Sequence, residues 1–387
     1  MSRVAYVSSY APRVCGIATF TEDLTRNINT LNALEPAAIV AMNDPGSSYC
    51  YGKEVVLQID EEDKETYQQV AHQINSSGFD LINVQHEFGL FGGEWGNYLL
   101  TLLKRLSKPS VTTMHTTLSP NSKRTQSLGQ ANIHDKVVQG IGQHSSAIVV
   151  MTKMAADILR EGHDVDAEKI KVIPHGCPDI PFVRSDQGKK DLGLDDRSVL
   201  STFGLLSRDK GIQNAIRALP EIVKETPEIL YLVIGVTHPQ VRLHEGEKYR
   251  KRLMRLVKKL GLEKNVEFHN RFLSKQELIQ YLQATDIYVC SHVKKDQLSS
   301  GTVTYALGTG KAIVSTPFYY AMEVLDEGRG LLSRFRSPRS IAECITRLLE
   351  NPELKARTEK LAYEYSRDMT WPRVASRYVS LFREMIQ

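Results

Sequence analysis

Short runs rich in valine and isoleucine alternate with helical patterns along nearly the whole chain, and this rhythm constrains the fold more than any other feature. In the first half the periodicity predicts strands at 2–8, 36–42, 54–58, 80–85, 109–114, 146–151 and 170–173. Helices are expected between them near 18–30, 63–77, 96–107, 132–144 and 152–162. A βαβα succession needs a parallel sheet covered by helices on both faces. At 174–190 the pattern stops: PHGCPDIPFVRSDQGKK holds prolines, glycines and scattered charge, which predicts a linker. The alternation resumes with strands near 198–203, 229–235, 265–269, 286–290 and 312–315, and helices near 211–225, 241–261, 274–284, 302–308, 338–350 and 353–366. The expectation is an α/β chain of two doubly wound, Rossmann-like domains, 1–180 and 181–369, facing across a cleft at the carboxyl ends of their strands.

At 387 residues the chain is long enough for two hydrophobic cores. Its net charge of +4, from 49 basic and 45 acidic residues, is too mild for nucleic acid. It would suit an anionic small ligand or a weak peripheral membrane contact. Nothing approaches 18 consecutive apolar residues, and RVAYVSS opens directly as a strand without a cleavable leader. The five cysteines, an odd number with no C-x-x-C pair, read as reduced thiols, so a cytoplasmic protein is expected. Neither half carries G-x-G-x-x-G after its first strand, which argues against a nicotinamide dinucleotide.

Two segments concentrate the chemistry. FGLLSRDKGI at 203–212 turns through Gly204 and sets Arg208 and Lys210 ahead of a helix. DQLSSGTVTYALGTGKAIVST at 296–316 sets Ser299, Ser300, Gly301 and Thr302 ahead of an apolar helix, then closes on Gly310 and a buried strand. Cations at a helix start oppose its dipole, so an anionic partner is the simpler account of the first segment. Together the segments predict a socket for a dianionic phosphate group, made of two cations and one helix N-terminus. Ordinary capping and solvent exposure explain either segment alone without a ligand.

In the first domain, Gly16 precedes a helix and would let a ligand approach the backbone, although a plain strand-to-helix turn reads the same way. His86 and Glu87 end one strand and His115 follows another, so both imidazoles are expected near the ligand cleft. Asp164-Val165-Asp166 imitates an acidic metal motif but reads as a polar turn, and no cluster elsewhere has ligand spacing, so no metal site is expected. The basic stretch KYRKRLMRLVKKL at 248–260 reads as a core-facing helix with a solvated charged back.

The ordered set resembles the GT-B fold, retaining glycosyltransferases of family 4, over essentially the whole chain. The Gly16 loop, His115, VIPHG at 172–176, the G-x5-K-G of 204–211, FLSKQELIQYLQATDIYVCS at 272–291 and the segment ending at Gly310 follow the family order. The resemblance implies an acceptor-side first domain, a nucleotide-sugar-binding second domain, and a terminal helix at 370–387 crossing back onto the first. It implies transfer of a hexose, mannose or glucose, from a donor of the GDP-mannose or UDP-glucose type to a carbohydrate hydroxyl, without a metal cofactor. Lys210 matches the family lysine on the donor diphosphate. Leu205 stands where the family has arginine, and Arg208 is expected to substitute. The family's E-x7-E falls on Gln297 and Tyr305, which leaves Gln297 or Asp296 for the donor sugar and the Tyr305 hydroxyl for the ribose. Arg271 falls where the family binds the base, and Glu323 matches a recurrent acidic position. A sugar-nucleotide epimerase, a glycoside phosphorylase and a non-catalytic sugar-nucleotide binder remain alternatives.

Overall fold

Each strand expected from the periodicity forms, and the strands build two parallel sheets in a computed structural model that describes residues 1–120, 122 and 131–387. The first sheet uses β1 (Val4–Ser8), β2 (Ala38–Asn43), β3 (Val55–Asp60), β4 (Leu81–His86), β5 (Ser110–Met114), β6 (Ala147–Val150) and β7 (Ile170–Val172). Its order is β3-β2-β1-β4-β5-β6-β7. The second uses β8 (Ser198–Phe203), β9 (Ile229–Ile234), β10 (Val266–His269), β11 (Ile287–Cys290), β12 (Ala312–Ser315) and β13 (Leu331–Leu332), in the order β10-β9-β8-β11-β12-β13. Strand order therefore reverses between β1 and β4 in one sheet and between β8 and β11 in the other. In open parallel sheets such reversal points are where ligands bind, because the loops on either side part there.

The chain divides into two units, Met1–Gly176 with Trp371–Gln387, and Cys177–Thr370. In the first unit the terminal helix Trp371–Ile386 lies along the helix Gly16–Thr30. Trp371 meets Phe20 edge-on at 5.1 Å, and the Tyr378 hydroxyl shares a 3.0 Å hydrogen bond with Thr113 of β5. A Cβ at Gly176 would fall 2.2 Å from the Trp371 indole, which explains the glycine closing the VIPHG turn. Among the described residues, no helix is long and apolar enough to cross a membrane.

Departures from the expected elements have local causes. The helix expected at 241–261 breaks at Gly246 (φ 59°) into Pro239–Glu245 and Lys248–Lys259. The basic second piece buries Tyr249, Leu253 and Val257, so its apolar stripe does face the core. The helix expected at 96–107 shortens to Leu99–Leu103, and that at 152–162 becomes Lys153–Asp157 followed by a wide π turn, Ile158–Gly162. The Asp164–Asp166 turn is structural: Val165 is buried, and Asp166 caps the 3₁₀ turn Ala167–Lys169. The short strand β13 and the helix Tyr319–Val324 have too few residues to show a period.

The expected linker is only partly one. Residues Ser185–Lys190 form a helix whose polar side chains converge on Asp286, just before β11. The Asp286 carboxylate accepts from Ser185 Oγ at 2.5 Å and the Val199 amide at 2.8 Å, and pairs with Lys189 Nζ at 2.5 Å. Scattered charge that reads as solvated is thus the second unit's internal brace. Asp286→Ala would strand Lys189 and an amide in the interior. It is expected to cost about 3–5 kcal/mol in urea-induced unfolding, the range for breaking one side of a buried pair.

Candidate functional site

The site of interest in the second unit lies where β8 and β11 end side by side. After β8 the chain passes through Gly204, and a Cβ there would lie 3.2 Å from Thr302 Cγ2 in the first turn of the helix Gly301–Gly308. It then makes a tight 3₁₀ turn, Arg208–Lys210, and enters the helix Ile212–Glu225 through Gly211, φ 63°. A Cβ on Gly211 would fall 2.0 Å from the Ser291 carbonyl oxygen, so only glycine permits this approach. Hydrogen bonds clamp the two loops: Ser291 Oγ donates to the Lys210 carbonyl at 3.0 Å, and the Val293 amide to the Asp209 carbonyl at 3.0 Å.

Lys210 is half-buried, and withdrawal from water pushes its pKa below the ordinary lysine value, with the neighbouring Cys290 and Asp209 opposing. Among the described residues no carboxylate lies within ion-pairing distance of its ammonium, since Asp209 pairs instead with Lys294 at 2.6 Å. Ser300 caps the helix Gly301–Gly308, its Oγ accepting from the Val303 amide at 3.4 Å. The amides of Gly301 and Thr302 precede the first intrahelical bond, so this end carries partial positive charge. Gln297 Nε2 donates to the Ser299 carbonyl at 2.8 Å, and Asp296 is half-buried beside it. His292, two residues beyond β11, is buried against Phe318 with ring centroids 4.9 Å apart. Burial, and then the charge on Lys210, hold its pKa well below the ordinary histidine value, with Gln297 opposing.

In the first unit, Gly16 opens its helix, and a Cβ there would meet nothing within 4 Å, so the protein itself does not require glycine at this position. His115 follows β5 and is buried, its Nε2 2.8 Å from Gln85 Oε1 and its ring edge-on to Phe20 at 4.7 Å.

Two family models match the chain: "Glycosyl transferases group 1" over residues 185–365 and "Glycosyltransferase Family 4" over 63–179. Both are glycosyltransferase models, the first lying in the second unit and the second almost entirely in the first unit. It is 26% identical to the spore coat protein SA of Bacillus subtilis over 51% of its own length and 52% of that protein's. To the D-inositol 3-phosphate glycosyltransferase of Corynebacterium glutamicum it is 25% identical over 80% of its own length and 73% of that protein's. The chain thus spans about half the length of the first of these relatives. Anabaena HepE in complex with UDP-glucose shares the fold, with a TM-score of 0.75, 16% identity, and coverage of 99% of this chain and 100% of that one. The architecture is GT-B.

Several expected site residues fall elsewhere. Arg208 does not join Lys210: its guanidinium is exposed, pairs with Glu245 at 2.8 Å, and lines a cavity of about 440 Å³ with Arg217, Tyr249, Arg252 and Arg255. Arg271 is likewise exposed and committed to Glu277. Tyr305 is buried in the helix Gly301–Gly308, and its ring packs in the core 6.4 Å from Phe203. Glu323 is half-buried in the helix Tyr319–Val324, its carbonyl accepting from Arg329 at 3.3 Å. His86 ends β4 as expected but is fully buried, stacked on Phe91 at 5.7 Å and edge-on to Phe88 at 4.8 Å. An imidazole enclosed by two phenyl rings presents nothing to a ligand. His292 was missed, though the strand-end rule that singled out His86 and His115 applies to it equally.

Burial pushes the His86 imidazole from 6.5 to about 3, so it stays neutral while the same residue in the unfolded chain protonates. The unfolded state then binds the extra proton between about pH 6.5 and 3. The contribution is complete above that window and is lost as pH falls through it. In urea titrations from pH 7 to pH 4, His86→Phe is expected to lose less of its unfolding midpoint than the wild type. Parallel losses in the two proteins would contradict the assignment.

Proposed function

We propose that the chain transfers a hexose from a nucleoside-diphosphate sugar to an acceptor hydroxyl, with retention at the anomeric carbon. The observation that carries this reading is that the loop bearing Lys210, whose ammonium has no carboxylate partner among the described residues, meets the start of the helix Gly301–Gly308 at the strand reversal between β8 and β11. A diphosphate seated there meets one cation and two helix-end amides. A donor of the UDP-glucose type is favoured over GDP-mannose, because a structure of the same fold was solved with UDP-glucose. Asp296 and Gln297, half-buried beside the helix start, are the proposed partners of the donor-sugar hydroxyls.

In the proposed reaction the acceptor oxygen bonds to the anomeric carbon while the bond from that carbon to the diphosphate oxygen breaks. The electron pair leaves with the diphosphate, which takes up the acceptor proton. The protein's part is electrostatic. Lys210 and the helix terminus stabilise charge that grows on the leaving oxygen, which makes a magnesium ion bridging the phosphates unnecessary. The ring nitrogens of His115 and His86 are not assigned to this chemistry, since both rings are buried.

Lys210→Ala is expected to lower turnover of UDP-glucose about a hundredfold, an effect of about 3 kcal/mol on the barrier, with the unfolding midpoint little changed. Arg208→Ala is expected to stay within about twofold of the wild type, because an exposed pair contributes little. Free UDP released in the presence of sugar acceptors is the measurement, and wild-type turnover in Lys210→Ala would refute the assignment. A second reading, a binder without catalysis, is favoured by Gln297 and Tyr305 standing where the family has carboxylates. Thermal stabilisation by UDP-glucose with no turnover on any acceptor would select it.

A further inference from the structure

We infer that His134, Asp135 and His163 form a zinc site in the first unit, independent of the donor site proposed above. His134 and Asp135 are the fourth and fifth residues of the helix Ala131–His144, and His163 follows the π turn Ile158–Gly162. Both imidazole side chains are fully buried, while the Asp135 carboxylate is about one quarter exposed, at 28%. Three potential ligand atoms, one from each residue, lie within 4.8 Å of one another. Asp135 Oδ1 is 3.2 Å from His134 Nδ1 and 3.5 Å from His163 Nδ1. Zinc bonds of about 2.0–2.1 Å place tetrahedral ligands about 3.3 Å apart, so these two separations bracket the required edge.

A second observation points the same way. His163 Nε2 lies 2.7 Å from the Leu118 carbonyl oxygen, which can only accept, so Nε2 carries the proton. In the neutral ring Nδ1 then bears a bare lone pair, is buried, and has no hydrogen-bond partner among the described residues. It faces a carboxylate oxygen, and two acceptors at that separation repel unless a cation lies between them. A shared proton would draw the pair to about 2.7–2.9 Å, the range of a charge-assisted hydrogen bond, whereas they stand 3.5 Å apart. A carbonyl holding the far N–H of a ligating histidine is also the usual outer partner of a zinc site, because it fixes both tautomer and ring orientation.

The chain departs from regular geometry to place this ring. The helix Lys153–Asp157 widens into the π turn, Gly162 lies against Pro120, and Asp164 takes a left-handed conformation, φ 54°. Phe88 and Trp95 flank His134, each with its ring centroid 4.9 Å away, and supply the dry wall that strengthens metal–ligand bonds. Two imidazoles with one carboxylate suit zinc, whereas magnesium and calcium prefer all-oxygen sets. Bound there, zinc would displace the proton that His134 shares with Asp135 and tie the start of the helix Ala131–His144 to the turn at His163. Affinity should therefore weaken as pH falls.

The test uses the full chain, stripped with EDTA, dialysed, and titrated with zinc chloride or cobalt chloride alone. One zinc per chain is expected, with a raised melting temperature and a tetrahedral cobalt absorption spectrum. Asp135→Asn and His163→Gln should each weaken zinc binding by at least about tenfold, whereas Lys210→Ala should bind zinc as the wild type does. Asp135→Asn replaces a partly exposed carboxylate with an isostere and decides the matter if His163→Gln fails to fold. Substoichiometric uptake, an octahedral cobalt spectrum, or equal uptake by the wild type and both ligand variants would overturn the inference.

Discussion

The second unit is organised by the parallel pairing of β8 with β11 across a reversal in strand order. Because the strands run the same way, both chains leave the sheet on one side, and their exit loops must pack on each other. The loop from β8 supplies a lysine, and the loop from β11 leads into a helix that begins at the same edge. A cation and a helix end are brought together by topology before any side chain is chosen. What the sequence adds is the glycine that allows contact and the serine that caps the helix.

The protein handles buried charge in two contrasting ways. Asp286 is surrounded by a hydroxyl, an amide and an ammonium, so its ionised form is matched on every side. Lys210 has no such match: it is partly withdrawn from water, near a thiol and a neutral imidazole, with no carboxylate paired to it among the described residues. The first arrangement is what a fold needs for stability. The second leaves attraction unspent, which is the condition for holding an anion that arrives from outside.

Much of this was legible in the amino-acid pattern, for identifiable reasons. Strands buried along their whole length show as nearly unbroken apolar runs, so β1, β2, β9, β11 and β12 stand out. Gly204, Lys210 and Thr302 sit at strand and helix ends, where local sequence and position coincide. Arg208 was misplaced because its partner, Glu245, lies on a helix whose break at Gly246 sets its position, and no local signal links the two. The strand-end rule located His86 correctly along the chain but could not say that Phe88 and Phe91 fold back over the ring. The trio His134, Asp135 and His163 has no motif spacing, because the helix Ala131–His144 and the turn after Ile158–Gly162 bring it together only in three dimensions.

The contact of Gly211 with the Ser291 carbonyl also limits how this architecture can diversify. With no room for even one methyl group, the lysine-bearing turn is welded to the neighbouring strand exit and cannot be remodelled alone. Descendants of such a chain would keep the anion grip as a fixed inheritance. Under the proposed function, a change of sugar would fall to Asp296, Gln297 and Ser299, half-buried polar side chains that can be exchanged without moving the sheet.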